Sequence, residues 1–183
     1  MRNAALLLLF LSACSHTSLP VSEELMRLAE QGDAAAQMKV GLAYDNENNQ
    51  AEAARWYRLA ANQGVSEAQN NLGVMYKDGQ GVSQDYTEAA HWFMKAARQD
   101  NTLAQLNLGW LYHAGKGVRQ DADSAHHWYL LAAEKGLASA QLNLGILYLQ
   151  QADTVTAIHW LRQAAQQDNA GAQRILNALR RTE

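Results

Sequence analysis

The sequence predicts an all-α solenoid, a stack of helical hairpins, and three observations carry that prediction. First, Ala-Gln recurs at Ala36-Gln37, Ala68-Gln69, Ala104-Gln105, Ala140-Gln141 and Ala172-Gln173, in steps of 32, 36, 36 and 32 residues. Second, each of the first four alanines is followed five residues on by a glycine (Gly41, Gly73, Gly109, Gly145) and three further on by a tyrosine (Tyr44, Tyr76, Tyr112, Tyr148). A tryptophan then closes the pattern in every unit, at Trp56, Trp92, Trp128 and Trp160, and these four are expected to form the core. Third, apolar residues inside a unit fall at steps of three and four, as Ala104, Leu108, Leu111 and Tyr112 do, which is a helix period. A repeat of this length is one supersecondary unit that buries its apolar face only by stacking on its neighbours.

The elements follow in chain order. Residues 1–13 begin Met-Arg and run apolar from Ala4 to Leu11, a basic start and a short apolar stretch that mark an export signal. Eight apolar residues span only ~12 Å as a helix, against ~30 Å of bilayer hydrocarbon. Leu11-Ser12-Ala13-Cys14 resembles a bacterial lipobox, which implies cleavage before Cys14 and acylation of its thiol and amine. Cys14 is the only cysteine, so no intramolecular disulfide and no multi-cysteine metal site is available. Ser15 after the lipobox resembles the sorting residue that permits transfer outward, which implies the periplasmic face of the outer membrane, with the soluble periplasm as the alternative. Residues 14–20 form a tether before the folded domain, 21–183.

Val21–Gln31 reads as the second helix of a degenerate leading unit. Four units follow, at about 34–65, 66–101, 102–137 and 138–169, and a lone capping helix at 170–181. In the third unit, helix A runs roughly from Thr102 to His113 and Gly115-Lys116-Gly117-Val118 turns the chain back. Asp121 or Asp123 caps helix B, which carries Ala125, Trp128, Tyr129, Ala132 and Ala133 on one face and ends at Gly136. Gly32 and Gly64 close the earlier B helices; Asp100-Asn101 and Asp168-Asn169 stand in the same place. Units one and four are four residues shorter, all of it in the A–B turn. The glycine at the centre of helix A costs ~1 kcal/mol of helix propensity, and its recurrence implies that helix B packs there too closely for a side chain. The capping helix puts Asn177 at the glycine position and Arg180 at the tyrosine position, a polar end that lets stacking stop.

The phrase Ala-Gln-x-Asn-Leu-Gly-x-x-Tyr, then Gly-x-Gly-Val, then Ala-x-x-Trp-x-x-x-Ala-Ala-x-x-Gly, resembles the Sel1-like repeat, a relative of the tetratricopeptide repeat. The resemblance implies a right-handed superhelix and a protein–protein interaction module. It also implies a concave working face on the A helices, at positions three before and one after the glycine and near the helix ends. Partner-binding candidates there are Asn70, Val74, Lys77, Leu106, Trp110, His113, Leu142 and Ile146, with Met38, Leu42, Glu67, Leu103 and Leu149 flanking. An apolar stripe with a surplus tryptophan suits a binding site; it equally suits side chains that fill the angle between adjacent A helices.

Other chemistry is excluded on composition and spacing. The chain carries 15 Lys+Arg against 18 Asp+Glu, and loss of residues 1–13 removes Arg2, leaving 14. That mild acidity argues against nucleic acid and against a polybasic membrane contact. His91, His127 and His159 occupy one position on successive B helices, too far apart to share a metal. Gly79-x-Gly81 and Gly115-x-Gly117 follow a helix and lack the Lys-Ser/Thr of a nucleotide loop, so they are turns. No catalytic motif, cofactor or metal site is expected. The expected protein is a lipid-anchored monomer, either an envelope scaffold or assembly factor or, by analogy with small lipoproteins of this family, an immunity partner of a secreted phospholipase-type effector; a hydrolase or small-ligand binder is the second alternative.

Overall fold

The computed structural model describes residues 21–181; the expected signal segment 1–13, Cys14 with its tether 14–20, and residues 182–183 lie outside the described residues. The helices are α1 (Glu23–Glu30), α2 (Ala34–Asn46), α3 (Gln50–Asn62), α4 (Ser66–Asp78), α5 (Tyr86–Ala97), α6 (Thr102–Ala114), α7 (Ala122–Glu134), α8 (Ala138–Gln150), α9 (Thr154–Gln166) and α10 (Ala170–Leu179). Each packs on the helix before and after it in sequence. The pairs α2–α3, α4–α5, α6–α7 and α8–α9 are the four hairpins, with lone α1 before them and lone α10 after. Among the described residues there is no strand, and no helix is long and apolar enough to cross a membrane.

Local chemistry sets the boundaries. Asp33, Asn49, Asp85, Asn101, Asp121, Asp153 and Asn169 each accept a backbone N–H of the first turn of the following helix. These caps satisfy donors that a helix start leaves free. The short turns of units one and four place Asn48 (φ 58°) and Ala152 (φ 62°) in the left-handed region. The longer turns of units two and three end the A helix on left-handed Gly79 and Gly115. Their second glycines, Gly81 and Gly117, have another reason to be glycine. A Cβ there would collide with the backbone carbonyl of Gln50 or Tyr86, at the start of the preceding B helix. The long turns are therefore packed on the unit before.

The glycine inside helix A is a contact point, as its recurrence implied. A Cβ on Gly41, Gly73 or Gly109 would stand 2.6, 2.7 or 2.6 Å from the ring of Tyr57, Phe93 or Tyr129, and one on Gly145 would stand 2.8 Å from Leu161 Cγ. Each partner is the residue after the unit tryptophan, and these four are the deepest large side chains of the B helices. The assignment of the core to the tryptophans needs correction here. Trp56 and Trp92 are buried, but Trp128 and Trp160 are only half-buried. Their place is the seam between units. Trp56 packs with Ala29 of α1, Trp92 with Ala54 and Tyr57 of α3, Trp128 against the α5–α6 cluster and Trp160 against the α7–α8 cluster. A helix B thus seals the junction between the preceding helix B and its own helix A.

The recurrent glutamine has a role that its spacing alone did not show. Gln37, Gln69, Gln105, Gln141 and Gln173 donate through Nε2 to the carbonyls of Ala29, Ala61, Ala97, Ala133 and Ala165, at 3.1, 3.1, 3.3, 3.2 and 3.4 Å. Each satisfies a carbonyl left over at the end of the preceding B helix. A second tier repeats above it: Gln63, Gln99 and Gln167 donate to the Oε1 of Gln37, Gln69 and Gln141. At the remaining junction Lys135 replaces the second glutamine and turns to Asp100 at 2.9 Å, leaving the buried Oε1 of Gln105 without a partner.

Candidate partner-binding surface

Helices α4, α6 and α8 lie side by side and present the expected stripe, and the structure divides it in two. Trp110, His113 and Ile146 come together with Asn143 around a hollow of about 110 Å³ whose floor is Tyr129. Leu103 stands at the start of α6, 53% exposed. Leu106, Leu142, Val74 and Trp110 itself are half-buried, with part of each side chain packed on the core clusters between units. Among the flanking candidates, Leu42 is exposed and Met38 packs inward on the α3–α4 cluster.

The unit-two end of the stripe is different in kind. Asn70 is buried and turned along the groove floor, donating to Asn71 and accepting from Asn107 Nδ2, both at 3.3 Å. Lys77 is held by Asp78 at 2.6 Å. Asn70 is thus engaged within the groove floor, and Lys77 is paired along its own helix end. The apolar, partly open section is the one formed by units three and four.

Asn70 belongs to a local exchange. In units one and three the deep aromatic is tyrosine, and its hydroxyl faces the asparagine of the next A helix, Tyr57 toward Asn71 and Tyr129 toward Asn143. Tyr57 donates to Asp45 at 3.3 Å. Burial pushes both phenols above their ordinary range. In unit two the aromatic is Phe93, which offers Asn107 no hydroxyl. Asn107 then turns to Asn70, at the position where units three and four carry Leu106 and Leu142. The two departures from the repeat answer each other.

Two residues outside the predicted set shape the site. Trp110 lies 6.3 Å from the Tyr86 ring, and Lys116 Nζ stands 5.2 Å over the indole and 4.8 Å over the phenol. Lys116 also donates to Tyr86 Oη at 3.3 Å. A cation held over two rings fixes the indole's orientation. The sequence signal was Lys116 itself, between two turn glycines that the long loop needs.

His91, His127 and His159 each meet the following tryptophan edge-on, at 5.3, 5.0 and 5.4 Å, and Arg55 does the same duty over Trp56 at 4.8 Å. Among the described residues no group of three or more His, Cys, Asp or Glu is placed to hold a metal.

Comparison with known proteins agrees with this geometry. The model of the Sel1 repeat matches residues 34–65, 66–101, 102–137 and 138–169. Among solved structures, c5321, a protective antigen present in uropathogenic Escherichia coli strains and displaying this repeat fold, is 38% identical over 86% of the chain, with a TM-score of 0.82. A Sel1 repeat protein from Oxalobacter formigenes is 34% identical over 84% of the chain, with a TM-score of 0.74. The chain spans 35% and 66% of the length of those two proteins. YrrB, a tetratricopeptide-repeat protein with an unusual peptide-binding site, shares the fold at 21% identity over 84% of each chain, with a TM-score of 0.56. No curated protein matches significantly. Repeats of this kind generally serve as non-enzymatic modules for protein–protein interaction. Four matched repeats in register, on a stack of four glycine-nested hairpins, establish that the chain belongs to the Sel1 repeat family.

Proposed function

We propose that this protein holds a protein partner against the concave face of units three and four while a lipid on Cys14 tethers it to the periplasmic face of the outer membrane. The observation that carries the groove is its surplus of apolar side chains. The seams are sealed by Trp92, Trp128 and Trp160; Trp110 packs on the α5–α6 and α7–α8 clusters yet stays partly open, and Leu103 is exposed. Large apolar side chains that stay partly open in a concave, rigid wall favour an apolar partner segment. The tether rests on the lipobox residues Leu11-Ser12-Ala13-Cys14. Multiple acyl chains, at ~0.8 kcal/mol per buried CH₂, give durable anchoring.

A single cellular experiment tests both halves. A photo-crosslinking residue at Leu103 should trap one discrete envelope protein, whereas the same probe at Val155, on the outer side of α9, should not. Cys14→Ser should abolish labelling with a fatty-acid analogue and release or mislocalise the chain. An identical crosslinking pattern at both probes contradicts the groove, and unchanged membrane association of Cys14→Ser contradicts the tether.

A further inference from the structure

The concave wall loses its formal charge where it becomes apolar. Helix α2 carries Lys39 and Asp45, and α4 carries Glu67, Lys77 and Asp78. Helices α6 and α8 carry no Asp, Glu, Lys or Arg. The hollow between them, bounded by Trp110, His113, Asn143 and Ile146 over Tyr129, holds about 110 Å³. That is well below the ~300–1,000 Å³ of a pocket for a drug-sized molecule, and it is the scale of one aliphatic side chain. The polar group of its floor is already directed inward, since the Tyr129 hydroxyl faces Asn143. One apolar anchor inserted by a protein segment suits such a hollow better than a free small molecule does.

The cation fixed beside this hollow is Lys116. It is exposed in the turn after α6, and its ammonium stands 5.2 Å over the Trp110 ring and 4.8 Å over that of Tyr86. Its hydrogen-bond partner is the Tyr86 hydroxyl, at 3.3 Å. The ion pairs among the described residues are Arg27–Glu24, Arg55–Glu52, Lys77–Asp78 and Lys135–Asp100, and none of them includes Lys116. Asp85, next to Tyr86 in sequence, is turned to the backbone of its own helix, where it accepts from Thr87 and Glu88. An ammonium has three donors, so the bond to Tyr86 leaves others to offer, and the two rings hold the charge without neutralising it. Lys116 and Trp110 are also departures from the repeat that touch each other. Unit two has Gln80 and Val74 at those positions, neither cation nor indole.

We propose that the segment seated in the groove is acidic as well as apolar: one aliphatic side chain enters the Trp110–Ile146 hollow, and an Asp or Glu within two positions of it takes the ammonium of Lys116. This rests on the groove reading given above and names the chemistry of its occupant. Two residues of extended chain span about 7 Å, enough to join a side chain against the Trp110 ring to a carboxylate on the ammonium above it. The chain as a whole is mildly acidic, with 15 Lys+Arg against 18 Asp+Glu. An acidic segment therefore gains nothing from the surface at large, and this cation sets its register. Charge at the rim of an interface decides specificity more than affinity. Lys116 is thus a specificity residue, and the apolar anchor supplies the affinity.

A random peptide library displayed on phage, panned on the full chain in mild detergent, tests this. Asp and Glu should be enriched over the unselected library within two positions of Leu, Ile or Val. One selected peptide is then synthesised with Glu, Gln or Lys at the acidic position. The unmodified protein should prefer the Glu peptide over the Lys peptide by about tenfold, and Lys116→Glu, a change at an exposed turn position, should reverse that order. A lysine that only props the Trp110 ring would instead weaken all three peptides alike. Trp110→Ala should lose all three. Selected peptides that need Trp110 but show no acidic preference, or a preference that Lys116→Glu does not reverse, overturn the proposal and leave the groove standing. Peptides indifferent to Trp110→Ala, or a panning that enriches none, overturn it together with the groove reading.

Discussion

The seams between helices and the concave face of the same A helices follow opposite rules. At the seams every unit repeats the same solution: glycine against the residue after the tryptophan, glutamine on the carbonyl of the preceding B helix, tryptophan across the junction. Along the groove the units differ, with Asn70, Leu106 and Leu142 at one position and Val74, Trp110 and Ile146 at the next. Close packing leaves the glycine no room for a side chain in a contact already tighter than van der Waals limits, whereas a half-open position is free to diverge. The repeated residues make the stack, and the divergent ones make this stack different from another of its family.

The largest effect should come from breaking a seam. Gly109→Ala adds a methyl group 2.6 Å from a fully packed ring. Helix propensity alone would favour alanine by ~1 kcal/mol, but overpacking typically costs about 1–3 kcal/mol, because the ring or the helix must shift to admit the methyl group. Denaturant unfolding should show a net loss; a gain in stability would mean that the close contact is not real.

A smaller change should follow from restoring the tyrosine at unit two. Phe93→Tyr gives Asn107 the hydroxyl that Asn71 and Asn143 already face, at a site where the other units accommodate it. A net hydrogen bond is worth about 0.5–1.5 kcal/mol, so the midpoint should stay level or rise slightly. A loss of several kcal/mol would show that unit two has closed over the space. The smallest effect should be that of Lys135→Gln, which supplies the missing donor for Gln105 and gives up an exposed ion pair with Asp100 worth little. A gain of up to ~1 kcal/mol in the unfolding free energy is expected, and a clear loss would mean that Lys135 matters to the junction in its own right.

What the sequence made legible follows the same division. Periodicity placed all four units, because a contact that must recur leaves the same residue at the same spacing. It located the turn glycines for the same reason, and one cap, Asp121, as one of two candidates. It misplaced the core, since tryptophan is conspicuous while Tyr57, Phe93, Tyr129 and Leu161 vary in type at one depth. The glutamine tiers were invisible because a polar residue's partner carbonyl carries no side-chain signature. In the groove, spacing put the candidates on one face of the A helices but could not tell open from closed. Asn70 and Lys77 are engaged with Asn107 and Asp78, and pairings across helices or along a turn are not written in a repeat.

The account's central claim is that Trp92 serves the stack and Trp110 serves a partner. The direct measurement is thermal unfolding and partner capture for Trp110→Ala and Trp92→Ala side by side. Trp92→Ala removes a buried seal and should cost about 3–5 kcal/mol of stability. Trp110→Ala, half-buried beside Tyr86 and Lys116, should lose less than half as much, yet capture from envelope extract below its melting temperature should fall by roughly 30-fold, as for a binding hot spot. Equal destabilisation by the two substitutions, or undiminished capture by a folded Trp110→Ala protein, would contradict the claim.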